Sequence, residues 1–420
     1  MDGKLTGRAF AALSEADGEV PADEARNGLR HVVSLSMTKL ADGLINPKLV
    51  LTWLAQALGA PAVLVGLLVP IREAGALLPQ MLLARRVEAL RHRKWAWVAG
   101  SLGQGIAAAG MVAVAFTLQG WAAGLALCVL LACLALARAA CSVSFKDILG
   151  KTIEKTRRGA VTGTAASVAS AGVILFALLL MTGLLQDVTP LALAVGLAAL
   201  LWFGAAALFS TLEEAPSEAE GDAPAVDLSP FREDGQFRRF VYARGALTAT
   251  ALAPPYIVLL DTGEGALQKL GALVLASAAA SFASSYVWGR LSDRSSRQVL
   301  MYSGFSGAAA MALAALAGLT GVAGSAIWVT PLLLFALMIA YHGVRQGRST
   351  YLVDMAPEDA RSRYAALANT LIGGLLLISG AFGGALAWIG PVAALAGFAA
   401  LSALGGVIAL GLDEVEEPAD

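Results

Sequence analysis

The chain has 420 residues, of which 57% are hydrophobic and only 15% charged, with a mean hydropathy of +0.70. A soluble domain carries about a quarter charged residues and under half apolar ones, so a water-soluble fold could not hide this much apolar surface. The excess is Ala, Leu, Val and Gly, which excludes collagen, disordered chains and disulfide scaffolds, and a net charge of −1 gives no reason to expect nucleic acid. An all-α integral membrane protein remains.

Residues 1–31 hold no apolar core of signal-peptide length and are expected to form a cytoplasmic N-terminal segment. A membrane-spanning helix needs roughly 20 apolar residues. The region 31–84 is interrupted by Lys39, Asp42, Asn46-Pro47-Lys48 and Arg72-Glu73. It holds either one helix at 49–70 or two charge-bearing spans, near 32–57 and 61–84. Clear spans follow near 95–118, 121–142, 159–185 and 189–211. Residues 213–237 carry eight acids and three prolines and read as a solvated cytoplasmic linker without specific function. Six further spans are expected near 238–261, 266–288, 299–322, 326–345, 362–387 and 391–412, before an acidic cytoplasmic tail at 413–420. Cys128, Cys133 and Cys141 share one apolar stretch with no Met or His at a supporting spacing, so neither a disulfide framework nor a metal site is expected. No phosphate-cradling loop, ATPase signature or nucleophile with its base is visible. No enzyme, cofactor or primary pump is therefore expected.

Internal repetition decides the count in 31–84. A shift of 205 places Glu88, in a basic cluster, under Asp293 of Gly289-Arg290-Leu291-Ser292-Asp293-Arg294-Ser295-Ser296-Arg297, and Lys39 under Arg244. A shift of 207 places Arg138 under Arg345 and Asp147 under Asp354. The second half puts two spans before its basic loop, so the first should too. Twelve spans in two pseudo-symmetric six-helix bundles, 32–212 and 238–412, follow. With both termini cytoplasmic, 23 of the 30 Lys and Arg residues fall in cytoplasmic segments and only Lys269 in an external loop, as the positive-inside rule requires.

The segment Gly289-x-Leu291-x-Asp293-Arg294-x-x-Arg297 resembles the signature loop of the major facilitator superfamily, with a degenerate partner around Glu88. The segments Lys146-Asp147-Ile148-Leu149-Gly150-Lys151 and Tyr351-Leu352-Val353-Asp354-Met355-Ala356-Pro357 resemble sparsely characterised bacterial members of it. The resemblance covers about residues 32–412 and implies the major facilitator fold, usually monomeric, in a bacterial inner membrane. It also implies that Asp293, Arg294 and Arg297 act as a cytoplasmic latch. Gly289 would make a tight turn, and Asp293 would cap a helix of the opposite half, where the dipole favours an anion. Asp147 with Arg157-Arg158, and Asp354 with Arg361 and Arg363, would join this closing network or form ordinary loop salt bridges.

Ionisable groups at membrane depth are costly and face a cavity, a partner or a functional path. On a helical rise, Asp42 lies about 15 Å and Arg72 and Glu73 about 16–18 Å from the expected cytoplasmic ends of their spans. Asp42 and Arg72 are expected to pair, with Asp42 or Glu73 exchanging a coupling proton; a static packing cluster is the alternative. The same positions of the second half hold uncharged Ser277 and Ala278. Lys39, Arg138, Arg244 and Arg345 sit in the first, fourth, seventh and tenth spans, which line the central cavity in the superfamily. They would recognise an organic anion, or snorkel to headgroups. The resemblance also links Arg138 to proton coupling. Trp53, Gln56, Thr248, Tyr256, Tyr341 and His342 are further candidates for ligand contact, and equally for helix packing. The expectation is a secondary transporter working by alternating access, with a small-molecule substrate and H⁺ or Na⁺ as coupling ion. The alternatives are an exporter of amphipathic drug-like or lipid-like compounds and a non-transporting receptor or assembly factor.

Overall fold

The computed structural model describes residues 10, 20–80, 83, 86, 87, 89–154, 156–182, 188–216, 228–260, 266–292, 294–324, 326–357 and 361–415. Its first half comprises α1 (Ala22–Leu44), α2 (Val50–Ala57), α3 (Ala62–Leu77), α4 (Lys94–Thr117), α5 (Gly120–Thr152), α6 (Arg158–Met181) and α7 (Val188–Ser210). After the short α8 (Ser229–Glu233), the second half comprises α9 (Gly235–Leu247), α10 (Ala249–Leu252), α11 (Pro254–Val258), α12 (Ala266–Ser292), α13 (Ser296–Leu319), α14 (Val329–Met355), α15 (Arg361–Ala387) and α16 (Pro391–Leu410). Among the described residues seven helices are long and apolar enough to cross a membrane: α4, α5, α6, α7, α13, α15 and α16.

Within the described residues the remaining expected spans are helical but carry charges or breaks. Residues 32–57 split at Ile45–Leu49, where Pro47 lacks a backbone donor and disfavours helix at Asn46. The Asn46 carboxamide instead accepts the Lys48 amide at 2.9 Å, and Thr52 donates to the Pro47 carbonyl at 2.9 Å. Residues 238–261 fall in three pieces, because the Thr248 hydroxyl bonds back to the Gly245 carbonyl (2.6 Å) and Pro254-Pro255 follow. Two expected ends are corrected by nearly three turns, on the order of ten residues each. The span 121–142 continues as α5 to Thr152, and 326–345 as α14 to Met355. Asp147 and Asp354 therefore lie on long helices, not in loops. Gly289 likewise lies within α12 rather than in a turn.

The two halves pack together mainly at the face opposite the termini. The ring of Pro70 on α3 fills the place a β-carbon on Gly380 of α15 would take, 2.2 Å away, and the Tyr256 hydroxyl does the same at Gly66 (2.1 Å). Only glycine permits these approaches. Trp121 and Trp388 meet nearby with ring centroids 6.4 Å apart. On the termini face the helix ends are tied within each half. Asn27 and Glu213 exchange side chain–backbone hydrogen bonds of 2.9 and 3.0 Å. Glu214 accepts the Arg93 and Lys94 amides at 3.0 and 2.8 Å, at the N-terminus of α4. Glu214, its side chain 0% exposed, thus departs from the solvated linker expected of 213–237, while the half-exposed Glu213 is tied to Asn27 through its backbone.

Candidate functional site

The break in α1–α2 and the proline in α3 bring Asp42, Lys48, Arg72 and Glu73 to the interior. Arg72 donates to Asp42 Oδ1 at 3.1 Å, and Arg138 Nη2 lies 2.8 Å from Asp42 Oδ2. One carboxylate therefore holds two guanidiniums, each oxygen serving one. The Asp42–Arg72 pair was legible in the sequence, and its sharing with Arg138 was not. Glu73 pairs instead with Lys48 at 3.5 Å. The same Lys48 ammonium sits 3.7 Å from the ring centroid of Tyr341 on α14. Lys48 thus joins the two halves, through charge on one side and a cation–π contact on the other.

Arg244, on α9, is 5% exposed and donates to Asn369 Oδ1 at 3.0 Å; its Nε is buried without a partner. With Glu73, Thr248, Tyr341, Arg345 and Arg348 it lines a cleft of about 60 Å³ between the halves. Arg345 and Arg348 also line a vestibule of about 600 Å³ with Ser284, Trp288, His342 and Ser349. These residues sit on the termini-face ends of α12 and α14, and Arg345 and Ser349 are exposed. The vestibule therefore opens towards the termini. Lys39 is exposed too, within electrostatic reach of Arg138, Asp42 and Arg345. Arg348 and Asn369 were missed in the sequence: Arg348 falls beyond the expected span end, and Asn369 is an uncharged residue among many.

Other candidates lie elsewhere. Tyr256 is 1% exposed and packs on Phe398 with centroids 5.6 Å apart, away from the cleft. Trp53 and Gln56 are half-buried on α2 and line neither space. His342, by contrast, lines the vestibule and meets Tyr341 edge-on at 5.2 Å.

The expected gate is not drawn across the halves by the described residues. Arg297 pairs with Glu414 of its own half at 2.7 Å, and Arg294 is exposed. Asp147 pairs with Arg93 (2.8 Å) and Lys151, not with Arg157 or Arg158 as expected. Arg157 meets Glu24 at 2.8 Å, and Arg158 donates to the Ile153 and Gly150 carbonyls at the end of α5. Arg361 donates to the Val353 carbonyl, beside Asp354. Glu88 and Asp293 lie outside the described residues.

The sequence profile of the Major Facilitator Superfamily matches residues 32–340. The chain belongs to this superfamily. Among solved structures it is similar to the nucleoside transporter NupG, at 13% identity over 92% of this chain and 98% of that one, with a TM-score of 0.68. It is similar to the POT family transporter PepTSo at 10% identity, over 92% and 97% of the chains, with a TM-score of 0.70. A D-xylose–proton symporter matches at 11% identity, over 93% and 97%, with a TM-score of 0.65. No curated protein sequence matches the chain. At these identities the structural likeness carries the fold. With the family it makes the chain a multi-pass membrane transporter of the secondary type, not an enzyme.

Proposed function

We propose that this superfamily member moves an organic anion across a bacterial inner membrane by alternating access, coupled to protons. In this reading the chain crosses the membrane twelve times, in bundles 32–212 and 238–412, with both termini cytoplasmic and the vestibule open to the cytoplasm. One observation carries the anion. Among the described residues six cations within the expected spans (Lys39, Lys48, Arg72, Arg138, Arg244 and Arg345), with Arg348 just past the end of one, face two carboxylates, Asp42 and Glu73. Excess positive charge in a low-dielectric interior is expensive, and a bound anion relieves it. It also raises the local concentration of anions at the cavity mouth.

Coupling follows from the shared carboxylate. A substrate anion that draws Arg138 towards itself removes one of the two cations on Asp42. The acid then takes up a proton more readily, because an opposite charge nearby is what keeps a carboxylate ionised. Glu73, held by Lys48 against Tyr341, is the second proton candidate. It sits where the two bundles must part as the cavity changes sides.

The test begins with a thermal-shift screen of anionic, neutral and cationic amphipathic ligands on the detergent-purified protein. Hits are then assayed for flux in proteoliposomes with and without a pH gradient. Anions should stabilise the protein and move faster with the gradient. Stabilisation by neutral or cationic amphiphiles alone would favour an exporter, and no ligand with no flux a receptor. Proton coupling through these acids fails if Asp42→Asn and Glu73→Gln both leave gradient-driven flux intact.

A further inference from the structure

We propose that Arg244, Arg345 and Arg348 form the headgroup subsite for a doubly charged oxyanion, whose polar body lies in the adjoining vestibule. This rests on the anion reading above and narrows it to a class: phosphate monoesters or dicarboxylates rather than simple monocarboxylates. The three guanidiniums line one cleft, and among the described residues none makes an ion pair; Glu73 lines the same cleft, within electrostatic reach of Arg348, but its carboxylate is held by Lys48. The cations of the first half differ, since Asp42 already holds Arg72 and Arg138, and Glu73 holds Lys48.

Arg244 makes the cleft a site rather than a basic surface. It is 5% exposed, yet among the described residues its side chain donates only to the neutral Asn369 carboxamide, and its Nε is buried without a partner. A guanidinium taken out of water requires a paired anion or a full set of acceptors, and the described residues give Arg244 neither. Arg345 and Arg348 lie three residues apart on α14 and so share a helix face. Together they reach both the cleft and the vestibule.

With the Glu73 charge matched by Lys48, the three guanidiniums leave the cleft with an excess of positive charge that favours a multiply charged occupant. A monoanion would leave two of them unmatched, whereas a dianion leaves one. Guanidiniums also present paired donors that match carboxylate and phosphate oxygens. The vestibule adds unsatisfied polar atoms: Ser284 Oγ and His342 Nε2 are both buried without a partner. Such walls suit a hydroxylated body better than a lipid chain. The small cleft, about 60 Å³, takes a headgroup only, and the vestibule, about 600 Å³, has room for the rest.

The experiment measures binding of glycerol 3-phosphate, succinate and lactate to the intact protein by calorimetry in detergent. At least one dianion should bind roughly tenfold or more tighter than lactate, and the preferred one names the headgroup as phosphate or dicarboxylate. Arg348→Gln should weaken that dianion by roughly tenfold and lactate by less than about threefold. Arg348→Lys, which keeps the charge but loses the paired donors, should fall between. An unchanged melting temperature without ligand shows that the variants are folded. Lactate binding as tightly as both dianions, or a preference that survives both Arg345→Gln and Arg348→Gln, overturns the subsite while leaving an anion transporter standing. No binding by any anion, with stabilisation by a neutral amphiphile, overturns the anion reading itself.

Discussion

The two halves of the chain are alike at the termini face and unlike at membrane depth. In the first half Asn27 ties the start of α1 to Glu213, and Glu214 accepts two amides at the N-terminus of α4. In the second, Gln236 ties the start of α9 to Asp413, and Glu414 accepts the hydroxyl of Ser295, which itself caps α13, as well as Arg297. The chain thus repeats Leu212-Glu213-Glu214 as Leu412-Asp413-Glu414. At membrane depth the repetition stops. The first half neutralises its arginines with Asp42, whereas the second offers Arg244, Arg345 and Arg348 no carboxylate of its own in an ion pair among the described residues. Tying helix ends is a need both bundles share. Charge around the cavity is under no such shared need, and each half is free to differ there.

The largest expected effect separates the halves by charge. Asp42→Ala leaves two guanidiniums without their counterion, and should cost on the order of 2–4 kcal/mol, allowing for their partial exposure. Arg345→Gln removes a cation with no partner to orphan and should lie within about 0.5 kcal/mol of the parent protein. Denaturant unfolding in detergent measures both. Equal costs would mean that the two halves carry their charges in the same way, and the contrast would be lost. Combining Asp42→Ala with Arg138→Gln should recover part of the loss, because the double change removes the orphaned charge along with its partner.

A smaller effect sharpens the likeness at the termini face. Glu214 and Glu414 serve equivalent helix starts, but the Glu214 side chain is 0% exposed and that of Glu414 is 42% exposed. Glu214→Ala strands two amides and should cost about 1–2 kcal/mol. Glu414→Ala, screened by solvent, should cost under about 1 kcal/mol. Thermal melts of the two variants decide it. A larger loss at Glu414 would show that burial does not set the strength of this contact.

How far the sequence foretold all this follows from contrast. The helices of α4, α5, α6, α7, α13, α15 and α16 stand out because long apolar runs have no other reading. The ends of α5 and α14 do not, because hydropathy marks the bilayer boundary while Lys146, Asp147, Arg348 and Asp354 are ordinary helix residues that carry the helix beyond it. The same contrast exposed Asp42, Arg72, Arg138, Arg244 and Arg345 against an apolar background. It hid Arg348, which lies just past the expected span. It also hid Glu214 and Glu414, which are acids among acids. That Asp147 pairs with Arg93 rather than Arg157 depends on how α4 and α5 pack, and no spacing encodes it.

The smallest effect concerns a position where the halves tie their helices with different chemistry. Four residues on from Asn27 lies His31, and four on from Gln236 lies Phe240. Both are fully buried. Phe240 stacks on Tyr351 with centroids 5.3 Å apart, while His31 sits edge-on to Phe209 at 5.3 Å and meets the Thr152 hydroxyl at 2.8 Å. Thr152 donates to the Ile148 carbonyl, so His31 Nε2 is the donor to Thr152. His31 Nδ1 is buried without a partner, and a proton placed there would have no acceptor. Burial therefore pushes the imidazole pKa down from its usual 6.5 to about 3. Between those values the unfolded chain binds the proton and the folded chain does not. Stability from this residue is complete above about pH 6.5 and is lost as the pH falls towards 3, by about 1 kcal/mol between about pH 6.5 and 5.5. Replacing His31 with Phe, as the second half has it, should remove that slope and leave Thr152 satisfied by Ile148. Melts of the parent and His31→Phe proteins at the two pH values measure the difference. If the slope is unchanged, the acid sensitivity arises elsewhere and His31 is titrating as freely as an exposed histidine.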